Sequence, residues 1–169
     1  LEFRRVLFRS AIGLGTWQMG ERGGDARTEI QAIVHALEQG VRLIDTAEMY
    51  ADGVAESITG QALKIFGNHR RHEITLVTKV LPHHASESGT VRACEESLRR
   101  LGQSYVDMYL LHWQGSHPYE QTLDGLAALR ERGLIRRWGV SNFDTADLSE
   151  WLSVEAAMGL QDGCATNQV

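Results

Sequence analysis

Short apolar runs alternate with helical patterns along the chain from position 11 onward. The runs predict strands, since nearly continuous stretches of Val, Ile and Leu are typical of strands that are buried on both faces. The predicted strands cover residues 12–16, 41–45, 74–80, 105–112, 135–141 and 165–169.

Between the strands, apolar side chains recur at the i, i+3, i+4, i+7 spacing that places them on one face of a helix. In the first helix these positions are Ile30, Ile33, Val34 and Leu37. Glycines at positions 40, 67, 102 and 133 end the first four helices. Asp144 or Thr145 caps a fifth. The sequence therefore predicts five strand–helix units and the beginning of a sixth.

Strands that alternate with helices imply right-handed crossovers and a parallel sheet. Both an open doubly wound sheet and a (β/α)8 barrel fit this order. Units that repeat at roughly 30 residues bring a complete barrel to about 250 residues or more, whereas this chain has 169. We predict an α/β fold, a (β/α)8 TIM barrel with about six of its eight βα units present. It forms one domain over residues 11–169 that is incomplete at its C-terminal end.

The first ten residues, LEFRRVLFRS, do not continue into this pattern. No small-residue cleavage site follows their charged and apolar side chains, so a signal peptide is a poor interpretation. We interpret residues 1–10 as a non-native segment, such as a translation scar. A genuine N-terminal strand is the alternative.

The composition is that of a soluble globular protein, with 43% hydrophobic and 23% charged residues. A net charge of −5 offers no basic surface to nucleic acid or an anionic membrane. No apolar run approaches the ~18–20 residues that span a bilayer. Cys94 and Cys164 are too few and too far apart for a disulfide framework, which favours the cytoplasm. The oligomeric state is left open, and a monomer is compatible with the sequence.

Polar side chains stand at or near the ends of the predicted strands. In chain order they are Asp45, Lys79, His112, Ser141, Asn142, Asn167 and Gln168. Tyr50 lies five residues after Asp45, in a loop that can fold back over the strand ends. The carboxyl ends of the strands of a parallel barrel converge on one rim, where active sites are built. These side chains are therefore candidates for one site.

Each candidate also has a structural interpretation. An aspartate at a strand end is commonly a turn former or a helix cap, and a lysine there usually reaches solvent. A histidine that follows two leucines commonly packs in the core, and so does a loop tyrosine. Ionisable groups at three consecutive strand ends are harder to explain in this way, so we interpret them as a site.

A phenol, an amine, a carboxylate and an imidazole together suit the reduction of a carbonyl group. A phenol has a pKa near ~10, and proton donation near neutrality needs that value lowered by some ~3 units, roughly 4 kcal/mol. We expect the Lys79 ammonium to lower the pKa of Tyr50. We also expect the Asp45 carboxylate to keep the Lys79 amine charged. We expect His112 to orient the substrate carbonyl. A nicotinamide cofactor is implied, because no side chain can supply the hydride.

Six segments stand in register along the chain, from about residue 11 to its last residue. They are Gly13-Leu-Gly-Thr-Trp17, Leu43-Ile-Asp-Thr-Ala-Glu-Met-Tyr50, Thr78-Lys-Val80, Tyr109-Leu-Leu-His-Trp113, Gly139-Val-Ser-Asn-Phe143 and Asn167-Gln-Val169. In this order they resemble the aldo-keto reductase family. Each segment alone is a weak signal, and the six together are specific. Within the family the chain is similar to bacterial members of the diketogluconate-reductase and methylglyoxal-reductase kind.

The resemblance implies a catalytic tetrad of Asp45, Tyr50, Lys79 and His112, with Tyr50 as the proton donor. It also implies a pocket for a small-molecule carbonyl substrate. The residues lining that pocket would be Trp17, Tyr50, His112 and Trp113. Packing of the two tryptophans in the core is the alternative.

The resemblance further implies NADPH or NADP⁺ as the cofactor and no metal. Ser141, Asn142 and Gln168 would hydrogen-bond the nicotinamide carboxamide, and Thr16 and Asp45 would line the same site. The family's last two βα units, which hold the rest of the cofactor, are not in this chain. We therefore expect the 169-residue chain alone to bind the cofactor weakly and to be inactive or prone to aggregation.

Two other motifs are weaker. The segment that begins at Gly13 resembles GxGxxG, but Gln18 replaces the third glycine and no acidic residue ends a second strand about 20 positions later. His83 and His84, with His112 and Asp45, would suggest a metal-dependent barrel hydrolase. No HxH or HExxH spacing supports that site. We also expect adjacent histidines in an extended loop to point apart.

The predicted function is NADP(H)-dependent reduction of aldehyde or ketone carbonyls to alcohols, with Tyr50 as general acid. The alternative is a catalytically inactive, cofactor-binding regulatory barrel or a non-functional fragment, because a fold does not determine a function. A metal-dependent hydrolase is a third hypothesis, which bound zinc would reveal.

Overall fold

A computed structural model describes residues 12–160 and 163–169 of the chain. The predicted non-native segment, residues 1–10, lies outside the described residues. In the part of the chain that the structure describes, no helix is long and apolar enough to cross a membrane.

Six parallel strands pair side by side in chain order and curl into part of a barrel. Since neighbours in the sheet are also consecutive in the chain, each connection is a crossover that returns the chain to the same end. The strands are β1 (Gly13–Gly15), β2 (Leu43–Asp45), β3 (Thr75–Val80), β4 (Val106–Leu111), β5 (Ile135–Ser141) and β6 (Asn167–Gln168). The prediction of a partial (β/α)8 barrel is confirmed.

A helix follows each of the first five strands. These helices are α1 (Ala26–Glu38), α2 (Val54–Phe66), α3 (Glu87–Leu101), α4 (Tyr119–Glu131) and α5 (Thr145–Ala157). The side chains of Asp25, Ser86 and Asp144 accept hydrogen bonds from backbone N–H groups in the first turns of α1, α3 and α5. These caps satisfy N–H groups that have no partner inside the helix.

The strands β1, β2 and β6 are shorter than the apolar runs predict. The N–H of Val41 donates to the backbone oxygen of Ala36 at 3.0 Å, beyond a left-handed Gly40 with φ of 97°. This bond completes the end of α1, so Val41 is withdrawn from β2. At β6, the N–H of Ala165 still donates to the backbone oxygen of Trp138 at 2.9 Å. Pairing with β5 therefore begins before the strand itself.

The larger hydrophobic core lies between the sheet and the helices. Its buried members include Ile33, Leu37, Ile44, Leu76, Leu101, Leu111 and Trp138. A smaller cluster on the other side of the strands contains Val77, Met108 and Leu110, with Leu43 and Ala165 packed against it. Ile65 on α2 and Leu152 on α5 are exposed. The carboxyl ends of the strands form one rim above both clusters.

Candidate active site

Lys79 is an enclosed cation at the rim. It stands on β3 and is only 1% exposed, so it does not reach solvent as strand-end lysines usually do. Its Nζ donates to both carboxylate oxygens of Asp45 at 2.8 Å each and to the backbone oxygen of Thr46 at 3.0 Å. A buried ammonium is costly without a charge partner and acceptors, and these contacts supply both.

Tyr50 reaches the same amine from the turn that follows β2. The turn is a short 3₁₀ segment, Tyr50–Gly53, and Lys79 Nζ lies 3.3 Å from the Tyr50 hydroxyl. Ala51 and Asp52 have φ of 48° and 52°, which is the left-handed region that side chains with a Cβ rarely adopt. Such backbone conformations cost free energy and are typical of functional sites.

The pKa of Tyr50 differs from the prediction. Burial, and secondly the Asp45 carboxylate, raise the pKa of the phenol to about 12. The expectation that Lys79 would lower this pKa is therefore wrong for the resting site. Desolvation of the phenolate outweighs the ammonium, whose charge Asp45 already balances. Tyr50 consequently keeps its proton across the neutral range.

Burial also shifts the pKa values of Lys79 and His112. It lowers the pKa of Lys79, while the Asp45 carboxylate acts in the opposite direction. Burial and the Lys79 ammonium together lower the pKa of His112 to about 4. The imidazole is therefore neutral near pH 7 and has one N–H to donate. Its Nδ1 is buried and has no hydrogen-bond partner among the described residues.

His112 follows β4 and faces Tyr50 across the rim. The two ring centroids are 5.8 Å apart with the planes at 76°, and the Trp113 ring lies 4.7 Å from the imidazole. Trp113 and Trp17 are 37% and 67% exposed. Core packing, the alternative considered for both tryptophans, is therefore wrong. The structure brings the predicted tetrad together and leaves two indoles on the surface.

Ser141, Asn142 and Gln168 form a second group on the rim, here called the amide cluster. Ser141 Oγ donates to the backbone oxygen of Gln168 at 2.9 Å. Asn142 Nδ2 donates to Ser141 Oγ at 3.2 Å and to the backbone oxygen of His112 at 3.0 Å. Asn142 has φ of 57°, a conformation that asparagine adopts more readily than most residues. The amide cluster is thus joined to the end of β4.

The amide cluster fits a nicotinamide carboxamide. Gln168 Oε1 is buried without a hydrogen-bond partner in the described chain, and an unpaired buried acceptor is costly. Because Nδ2 of Asn142 is already used, its Oδ1 is left to accept. Thr16, also predicted to line this site, is fully buried and donates its hydroxyl proton to the backbone oxygen of Asp45 at 3.2 Å.

Glu48 is a buried carboxylate beside the site that the sequence reasoning missed. Its Oε1 accepts from the backbone N–H of Leu81 at 2.6 Å and lies 3.0 Å from Nδ1 of His84. It therefore ties the chain just before Tyr50 to the segment after β3. Its signal in the sequence is an acidic residue within the segment Leu43–Tyr50, three positions after Asp45.

His83 and His84 do not point apart as predicted. They lie in a 3₁₀ turn, Pro82–His84, with ring centroids 4.1 Å apart. A tight turn brings successive side chains closer together than an extended segment does. Within residues 12–160 and 163–169, no group of three His, Cys, Asp or Glu side chains is arranged to hold a metal ion.

Comparison with known proteins places this geometry in a family. The sequence model described as the aldo/keto reductase family matches residues 11–163. Methylglyoxal reductase YeaE of Escherichia coli (strain K12) is 47% identical over 169 residues, which is 100% of this chain and 57% of that protein. Aldo-keto reductase YhdN of Bacillus subtilis (strain 168) is 39% identical over 157 residues, 86% of this chain and 47% of that protein.

Solved structures agree. An aldo/keto reductase from Klebsiella pneumoniae in complex with NADP and acetate is 48% identical and matches with a TM-score of 0.83, over 94% of this chain and 53% of that one. A thermostable aldo-keto reductase in complex with the inhibitor epalrestat is 37% identical with a TM-score of 0.86, over 95% and 57%. The chain spans about half the length of these relatives. The predicted resemblance is confirmed, and the chain belongs to the aldo/keto reductase family.

Proposed function

We propose that the protein is an NADP(H)-dependent reductase that converts aldehyde and ketone carbonyls into alcohols, with Tyr50 as the general acid. The observation that carries this proposal is one buried amine, Lys79 Nζ, bonded to the Asp45 carboxylate at 2.8 Å and to the Tyr50 hydroxyl at 3.3 Å. The matched Escherichia coli relative is a methylglyoxal reductase, which supports small aldehydes and dicarbonyls as the substrate class.

The substrate oxygen binds beside the Tyr50 hydroxyl and the His112 imidazole, whose rings meet edge to face with their centroids 5.8 Å apart. His112 is neutral at pH 7, because its pKa is lowered to about 4. It therefore donates an N–H bond that orients the carbonyl without adding positive charge. Proton donation is left to the phenol.

Tyr50 holds the proton that the alcohol product needs. With a pKa of about 12 it is protonated at neutral pH. As the carbonyl oxygen gains negative charge it becomes a far stronger base than a phenolate, so the O–H bond of Tyr50 breaks while that of the alcohol forms. The phenolate left behind lies beside the Lys79 ammonium, which stabilises it until solvent returns a proton. Lys79 thus acts on the phenolate formed in the reaction rather than on the resting phenol.

The cofactor, NADPH, supplies the hydride for the carbonyl carbon when it is bound, and the matched Klebsiella pneumoniae structure holds NADP. The amide cluster holds its carboxamide, since Gln168 Oε1 and Asn142 Oδ1 can both accept from an amide NH₂. Thr16 and Asp45 line the same side of the rim. These residues would hold the nicotinamide end of the cofactor. The free thiols of Cys94 and Cys164 support a cytoplasmic location.

Tyr50→Phe in the full-length gene product tests the proposal. NADPH oxidation with a panel of aldehydes and ketones should fall by about 10²–10⁴-fold, the usual contribution of a general acid, with NADPH binding unchanged. Tyr105→Phe is the matched control, because its ring packs on Arg71 and Arg136 before β4, away from the rim. That variant should turn over like wild type.

Near-normal activity of Tyr50→Phe would overturn the assignment of the general acid. A wild-type protein that binds NADPH and oxidises it with no carbonyl of the panel would support the inactive regulatory barrel instead. The 169-residue chain, assayed alongside, should bind NADPH more weakly than the full-length product.

A further inference from the structure

Glu155 is a buried carboxylate on α5 that lies apart from the tetrad. It is 4% exposed. Its Oε1 accepts from the indole N–H groups of Trp138 and Trp151 at 2.7 and 2.8 Å, and its Oε2 accepts from the backbone N–H of Cys164 at 2.9 Å. Within the described residues, its hydrogen-bond donors are all neutral N–H groups.

This arrangement is costly if it serves only stability. A carboxylate removed from water without a cation is expensive, and an apolar side chain fills such a space at lower cost. Glu155 follows Trp151 by four residues and so shares the face of α5 that packs on the core. What an apolar residue cannot provide is the fixed direction of three hydrogen bonds.

The hydrogen bonds of Glu155 hold the backbone that leads into β6. A Cβ added at Gly163 would overlap Oε2 of Glu155, and one added at Gly139 would overlap the backbone oxygen of Thr166. The segment is therefore enclosed by the carboxylate of α5 on one side and by β5 on the other. Glycine at both positions permits these close approaches.

The segment held in this way continues into Asn167 and Gln168. Asn167 Nδ2 donates to the backbone oxygen of Phe143 at 2.9 Å, and its Oδ1 accepts from the Phe143 N–H at 3.4 Å. The backbone oxygen of Gln168 accepts from Ser141 Oγ at 2.9 Å. Since Asn167 and Gln168 directly continue residues 163–166, a displacement of that segment would strain these hydrogen bonds and shift the unpaired Oε1 of Gln168 within the amide cluster.

We propose that Glu155 is a positioning residue for the cofactor's carboxamide. It holds residues 163–166 so that Gln168 meets the carboxamide at a fixed place. The inference rests on the proposed binding of NADPH at the amide cluster. Because Glu155 acts through β6 and is not part of the tetrad, it determines the affinity for NADPH rather than the rate of the chemical step.

Glu155→Gln in the full-length gene product tests this role. Glutamine keeps the size but sets an NH₂ group against one of the three N–H donors. The dissociation constant for NADPH should rise roughly tenfold or more, the loss expected for a hydrogen bond to a charged group, while kcat at saturating NADPH stays within about twofold. Amide hydrogen exchange of residues 163–168 should become faster. Glu150→Gln removes the same charge from an exposed position on α5 and should change none of these.

Unchanged NADPH affinity in Glu155→Gln would overturn this inference and leave the reductase proposal intact, even if thermal stability fell. A lower kcat with unchanged affinity would overturn it as well. A wild-type protein that binds no NADPH would overturn the proposed function and this inference together. If Glu155→Gln does not fold, Gly163→Ala is the second variant. Its added Cβ pushes the backbone at residue 163 away from Glu155, which itself stays unchanged. The same rise in the dissociation constant is then expected, and unchanged affinity would refute the role.

Discussion

The two halves of the rim are assembled by different interactions. At the ends of β2 and β3, a buried ion pair of Lys79 and Asp45 places the amine 3.3 Å from the Tyr50 hydroxyl. At the ends of β5 and β6, neutral hydrogen bonds and a close approach of backbones hold the amide cluster. An ion pair at the rim organises the first half, whereas close packing at the rim organises the second, with the Glu155 carboxylate on α5 behind it.

This difference follows from what each half has to do. A proton donor needs a cation beside the phenolate it becomes, and that cation acts more strongly in an enclosed site than in water. A carboxamide is recognised by neutral donors and acceptors in fixed directions, because a mismatched ligand leaves one of them unpaired. His112 belongs to both halves, since its ring faces Tyr50 and its backbone oxygen accepts from Asn142.

Removal of the amine should cause the largest loss. Lys79→Met leaves the Asp45 carboxylate without its cation, and breaking a buried pair costs about 3–5 kcal/mol. The Asp45 side chain is 19% exposed, so water partly solvates its carboxylate. We therefore expect a decrease in the free energy of unfolding near the lower end of that range. Urea unfolding measures it, and NADPH oxidation should fall as in Tyr50→Phe.

The double variant Lys79→Met with Asp45→Asn is the control, because it also removes the orphaned charge. It should recover much of the stability and none of the turnover. If Lys79→Met alone were as stable as wild type, charge would not organise this half of the rim.

The second largest effect should appear as a loss of stability in mild acid. The pKa of His112 is about 4 in the folded protein against an ordinary value of 6.5, so the unfolded chain takes up a proton first as the pH falls. Above pH 6.5 the free energy of unfolding is therefore unaffected by His112. As the pH falls from 6.5 toward 4, the free energy of unfolding decreases by up to roughly 3 kcal/mol. Urea unfolding of wild type at about pH 7 and at about pH 4.5 should show it.

His112→Gln should lose most of this pH dependence, since glutamine does not titrate. His69→Gln, an exposed control, should keep it. An equal acid response of wild type and His112→Gln would mean that the imidazole is not held neutral by burial.

At the ends of β5 and β6, Gly139→Ala should act only through the volume of the methyl group that it adds between two backbones. The added Cβ overlaps the backbone oxygen of Thr166, so β5 or β6 must shift, and overpacking of this kind costs about 1–3 kcal/mol. NADPH affinity should fall together with the free energy of unfolding. Gly15→Ala, on β1 with nothing within 4 Å of the new Cβ, is the matched strand control and should be nearly neutral in stability. Similar losses in both variants would remove the argument from close backbone approach.

The fold is predictable from the sequence where local patterns decide it. The apolar run predicts β5 over residues 135–141, and the strand has these bounds. Asp144, one of two predicted caps, is the one observed for α5. Local patterns do not predict the ends of β1 and β2, because pairing across the sheet and the completion of α1 determine where these strands end.

Some features of the site are likewise predictable from the sequence, and others are not. Strand order alone predicts that Asp45, Lys79 and His112 meet at one rim. The direction of the Tyr50 pKa shift does not follow from residue types, because it depends on how much water packing removes. In the sequence, Glu155 resembles a solvated helix residue. Its role depends on the indole N–H of Trp138, 17 positions away, which donates to it only in the folded protein.

The smallest effect is expected in the turn after Tyr50. Ala51 has φ of 48° and ψ of 45°, a conformation that costs a residue with a Cβ about 1–2 kcal/mol and glycine far less. Ala51→Gly should raise the free energy of unfolding by roughly 1 kcal/mol or less, because glycine also increases the entropy of the unfolded chain. The same substitution at Ala128, equally half-buried but inside α4, should lower it by about 1 kcal/mol. Urea unfolding of both variants checks the opposite signs, and a loss in both would mean that the turn is not strained. A more stable Ala51→Gly with lower turnover would show that backbone strain, besides charge, holds Tyr50 against the amine.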